Sequence, residues 1–88
     1  MPIMSWKELL IGVMAENNET LDDIVHSTLT KEELNKKFDT RSGGPEGEPF
    51  TVWTNDFVYF PGVYDGAEWV AFVHRNPCDV KTEHVGGW

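Results

Sequence analysis

Apolar residues follow two different periods along this chain. Trp6, Leu9, Leu10, Val13 and Met14 recur on one face of a helix. From Phe50 to His74 the apolar residues instead form three runs of strand length, separated by turn residues. Ser5 followed by Glu8 marks the start of the helix as a capping box, the serine side chain accepting from a backbone N–H and the glutamate reaching back to the cap. Met4 is spaced to pack on Leu9 as a hydrophobic staple. Asn17 and Asn18 break the pattern. Thr20 with Asp23 then repeats the box ahead of Leu21, Ile24 and Val25, and Thr30 with Glu33 opens a third segment, Lys31 to Phe38, with Leu34 and Phe38 facing inward. The expectation is two or three short helices over residues 5–39.

Residues 40–49 change to Gly, Pro, Ser and charge, the composition of an exposed connecting loop. Beyond it, Phe50–Thr54 reads as a strand closed by Asn55 and Asp56, residues that tolerate the positive dihedrals of a tight turn. A second strand runs from Phe57 toward Tyr64. Pro61 and Gly62 are expected to kink or bulge it, because proline cannot donate to a ladder. Asp65-Gly66 is a strong hairpin signal leading into Trp69–His74. The fold expected is α+β, the short helices packed on a three-stranded antiparallel β-meander over residues 50–75. With the tail 76–88, the chain makes one domain, since neither half could bury its apolar face alone.

Composition narrows the function. A content of 40% hydrophobic residues in 88 supports a single core. The formal charge of −8 repels phosphate backbones and attracts basic surfaces, which argues against direct nucleic-acid binding. The longest apolar run, Leu9 to Ala15, is too short to cross a bilayer, and Met1 to Trp6 lacks the make-up of a signal peptide. One cysteine, Cys78, gives no disulfide framework and fits a reducing compartment. A cytoplasmic protein without membrane contact is expected.

Candidate chemistry is sparse. His26, His74, Cys78 and His84 match no zinc-site spacing, although a small metal-dependent module built on His74, Cys78 and His84 is a rival reading. No Gly-rich phosphate loop opens a helix, and Cys78 lacks a nucleophile's context. The expectation is a non-enzyme without cofactor. Two groups of residues suit a protein partner instead. Glu16, Glu19, Asp22 and Asp23 gather where the first two helices meet and could engage another protein with a basic surface, although carboxylates at helix starts also arise for the helix's own sake. Trp53, Tyr59, Tyr64 and Trp69 belong to a segment holding eight of the eleven aromatic residues, and strand alternation leaves apolar side chains on both of its faces. A second face left uncovered would bind a partner or form a homodimer or larger assembly.

In the strand half, Pro49-Phe50-Thr51-Val52-Trp53-Thr54, Val58-Tyr59-Phe60-Pro61, Tyr64-Asp65-Gly66-Ala67-Glu68-Trp69-Val70 and Arg75-Asn76-Pro77 resemble small uncharacterised proteins encoded by tailed phages and prophages. The resemblance implies a context and no functional residue. Phage accessory proteins of this size often bind and disable host machinery, including CRISPR-Cas and restriction systems, within the host cytoplasm. An inhibitor that presents carboxylates in place of nucleic-acid phosphates fits both the context and the charge.

Overall fold

The computed structural model describes residues 3–86. A short strand, β1 (Ile3–Ser5), leads directly into α1 (Trp6–Glu16). The Ser5 box forms: the Glu8 N–H donates to Ser5 Oγ at 3.2 Å, and the Ser5 N–H donates to Glu8 Oε1 at 3.2 Å. Met4 lies in β1, opposite Phe38. At the other end Asn18 takes the left-handed conformation (φ 59°). The N–H of Glu19 reaches Met14 O at 2.8 Å and that of Asn18 reaches Ala15 O at 3.1 Å, which is the Schellman arrangement. The asparagine pair that interrupts the apolar pattern is thus the helix's C-terminal stop.

The remaining helices do not extend as expected. The Thr20 N–H donates to Asp23 Oδ2 at 2.8 Å, but only a 3₁₀ turn follows, Leu21–Asp23. The Thr30–Glu33 box is also made, and α2 (Lys31–Leu34) ends after four residues. The chain between and beyond these turns is extended: β2 is His26–Ser27 and β3 is Lys37–Asp39. Among the described residues the fold is therefore α+β with one helix of several turns and six strands in two sheets, not two or three helices on a three-stranded meander. A capping box specifies where a helix starts and not how far it runs. After each start the chain finds a strand to pair with: Val25 N–H donates to Trp53 O at 2.8 Å, Thr28 N–H to Thr51 O at 3.0 Å, and β3 pairs antiparallel with β1. Branched Ile24, Val25 and Thr28 favour that extended state.

The main sheet has the order β2-β4-β5-β6, with β4 (Val52–Trp53), β5 (Phe57–Tyr64) and β6 (Ala67–His74). The meander is present, enlarged by β2. Asp65 (φ 51°) and Gly66 (φ 80°) make the primed two-residue turn expected between β5 and β6. The β4–β5 turn works differently, since Asn55 and Asp56 do not take positive φ. Thr54 Oγ1 accepts instead from the N–H groups of Asp56 at 3.3 Å and Phe57 at 3.0 Å. Pro61 and Gly62 do not interrupt β5, which pairs with β6 in unbroken register from Phe57–His74 to Tyr64–Ala67. Counted from the two-residue turn, Pro61–Val70 is a pair that exchanges no ladder bonds, so the proline nitrogen points away from β6. On that side β4 reaches only Val58 and Tyr59, and no neighbour needs the missing donor.

Paired residues share a face, so Val52, Tyr59, Pro61, Val70 and Phe72 lie on one side of the sheet. Here α1 packs, and Trp6, Leu10, Met14, Leu34, Phe50, Val52, Tyr59 and Val70 form the core. The 40–49 segment is a mostly exposed connecting loop, as expected, and it is pinned to this body. Glu68, buried in β6, accepts from the N–H groups of Glu46 at 2.9 Å and Gly47 at 3.0 Å, and its own N–H donates to Thr40 O at 2.9 Å. Trp6 Nε1 donates to Glu48 O at 3.0 Å, and Gly47 lies so flat on the indole that a methyl group there would sit 2.5 Å from the ring.

Candidate partner-binding surface

The acidic group lies where α1 ends. Glu16 occupies the last position of α1, Glu19 follows the Schellman turn, and Asp22 and Asp23 lie in the 3₁₀ turn. These four carboxylates do different work. Asp23 caps Thr20. Glu19 accepts from the Tyr59 hydroxyl at 2.6 Å, and that hydroxyl accepts from Asn17 Nδ2 at 3.2 Å. Burial, and after it the Glu19 carboxylate, raise the Tyr59 phenol above its ordinary range. Glu16 and Asp22 make no hydrogen bond or ion pair among the described residues and are exposed. The single ion pair among those residues is elsewhere, Lys37 Nζ to Glu8 Oε1 at 2.6 Å. It lowers the Glu8 pKa, the lysine's hydrogen bond being the largest cause.

Tyr59 is not a surface anchor, contrary to the sequence expectation: it is fully buried, because alternation sets it on the helix-covered face between Val52 and Phe72. The other three candidate aromatics occupy the opposite face with Val58, Phe60, Ala71 and Val73. Trp53 is half-buried, its ring 5.1 Å from that of His26. Trp69 is half-buried and lies across Gly62, where a methyl group would come within 2.7 Å of the indole. Tyr64 is 51% exposed. The carboxylates and the aromatic trio thus belong to opposite sides of the sheet and do not form one epitope.

The tail partly covers the aromatic face. Arg75 N–H donates to Asp56 O at 2.9 Å, Arg75 Nη1 to Thr54 O at 2.8 Å, and Asn76 Nδ2 to Asn55 O at 3.1 Å. Beyond these anchors every residue to Gly86 is exposed, and residues 80–86 enclose with β6 a hollow of about 430 Å³. His74, Cys78 and His84 are not gathered: among the described residues no three His, Cys, Asp or Glu side chains are placed to hold a metal. No helix there is long and apolar enough to cross a membrane.

A further hollow, not expected from the sequence, lies beside the acidic junction. Ile11 and Ala15, four residues apart and outside the buried stripe of α1, line with Glu19, Thr20, Leu21 and Asp22 a shallow hollow of about 320 Å³. An isoleucine off the apolar stripe was the available signal. No family model, curated protein or solved structure matches the chain.

Proposed function

We propose that this is a small acidic accessory protein of phage type that binds a host protein at a basic surface of that partner and inhibits or modulates it. The observation that carries the reading is the acidic junction: at a net charge of −8, Glu16 at the end of a capped helix and Asp22 in the 3₁₀ turn after it stand exposed without cationic partners among the described residues. Such a surface draws lysine and arginine side chains over a Debye length and competes for sites that hold phosphate. A nucleic-acid-handling defence complex, such as a CRISPR effector or a restriction enzyme, is the partner class that fits. Binding without catalysis suffices for this role, and it needs no cofactor.

The test is inhibition of purified CRISPR effectors and restriction endonucleases in DNA-cleavage assays at low and high salt. Inhibition strong at low salt, reduced by salt and weakened in Glu16→Gln/Asp22→Asn supports the reading. Failure to inhibit any enzyme of the panel at low salt removes it. This pair is a cleaner probe than all four carboxylates, since Glu19 and Asp23 hold the fold. A second reading, self-association, is favoured by the half-covered face of Trp53, Trp69 and Tyr64. A light-scattering mass that rises with concentration and falls in Tyr64→Ser would establish it.

A further inference from the structure

The hollow beside the acidic junction has the chemistry of a receptor for one particular side chain, an inference that rests on the reading above. Its floor is apolar. Ile11 is 49% exposed although it belongs to a helix, and Ala15 and Leu21 continue the same surface. Its rim is anionic, from Glu19 and Asp22. The two carboxylates are not equivalent. Glu19 is fixed in place by the Tyr59 hydroxyl at 2.6 Å, whereas Asp22 has no partner among the described residues.

A purely apolar group laid on this floor would desolvate Asp22 without compensation, and a compact cation would leave the floor wet. A long side chain with an alkyl stem and a charged head satisfies both, the stem lying on apolar surface while the head stays at the rim. Arginine fits better than lysine, because its guanidinium is more weakly hydrated and meets a carboxylate through two parallel bonds. We propose that the hollow receives an arginine of the partner protein, its stem across Ile11, Ala15 and Leu21 and its guanidinium on Asp22. The apolar floor makes the contact selective where exposed charge alone attracts any cation.

The probe is acetyl-Leu-Arg-Leu-amide, titrated into the isotopically labelled full chain and followed by amide chemical shifts. The amides of Ile11, Ala15, Leu21 and Asp22 should move together and saturate. The same peptide with norleucine in place of arginine should bind about tenfold more weakly, the loss of one charge-assisted contact. Ile11→Ser and Asp22→Asn, both at exposed positions, should each weaken binding about fivefold and leave the rest of the spectrum unchanged. Shifts spread over the other carboxylates, equal binding of the norleucine peptide, or unchanged affinity in Ile11→Ser overturns the proposal. If Glu16→Gln/Asp22→Asn abolishes nuclease inhibition while Ile11→Ser leaves peptide binding intact, the hollow fails and the acidic reading stands. If the peptide binds as expected but no nuclease is inhibited, the functional reading fails and the hollow stands.

Discussion

On one face of the four-stranded sheet Val52, Tyr59 and Val70 are sealed beneath α1, and on the other Trp53 and Trp69 are half covered while Tyr64 stands out 51% exposed. The strands that supply the two faces are the same, and their apolar content is similar. The difference lies in what was left to cover them. One eleven-residue helix reaches one side, and the residues after it, where further helices were expected, went into β2 and β3 instead. β2 extends the four-stranded sheet at its edge and β3 pairs with β1 in a second sheet, which satisfies backbone groups without adding a helical layer. The second face is left to an exposed tail.

Several substitutions test that contrast. The largest effect is expected for Leu10→Ala on the sealed face: Leu10 is fully buried, and its truncation should cost about 2–5 kcal/mol in denaturant unfolding. A cost near that of a surface change would mean that α1 is not the lid. Next is Glu68→Ala, which strips two backbone N–H groups of their acceptor and should cost about 1–3 kcal/mol, with faster amide exchange at Glu46 and Gly47. Exchange unchanged at those two amides would show that the 40–49 segment is held by Trp6 and by the Glu68 N–H on Thr40 O, without the carboxylate.

Tyr59→Phe keeps the ring in the core and removes one hydrogen bond to a carboxylate, so about 1–2 kcal/mol should be lost. The folded phenol titrates above its ordinary value of 10.0, so its contribution is complete below that pH and disappears as pH rises through the folded value. Wild-type stability should therefore decline above pH 10, and Tyr59→Phe should flatten that decline. On the opposite face Tyr64→Ser should change stability by less than about 0.5 kcal/mol. A larger loss would mean that the tail or a second molecule covers it.

The acidic limb has the opposite sign. Glu8 is held below 4.5 chiefly by Lys37, and Glu33 below 4.5 chiefly by the Thr30 N–H. A depressed carboxylate supports the fold above its unfolded value and stops doing so as pH falls through its folded one. Acid titration of Lys37→Met should show a smaller loss of stability below about pH 4.5 than wild type.

Much of the local structure was legible in the residues. Ser5–Glu8, Thr20–Asp23 and Thr30–Glu33 all mark true helical starts, and Asp65-Gly66 makes the turn its dihedrals require. Pro61 was misleading because its effect depends on whether β4 runs past it, a question of neighbours and not of the proline. The candidate site was legible in part. The carboxylates were found, but no pattern in the chain distinguishes Glu19, which holds Tyr59, from Asp22, which has no partner among the described residues.

The sequence by itself determined where helices begin, where the hairpin turns, which residues alternate along β5 and β6, and the net negative field, because each depends on near neighbours in the chain or on a sum over it. Only the tertiary structure decided that His26–Ser27 and Lys37–Asp39 are strands, that Glu68 is an internal anchor, that Tyr59 is buried, and that acids and exposed aromatics fall on opposite sides of the sheet. Those outcomes are set by which distant edge, backbone donor or covering helix a segment meets, and that competition is decided in space.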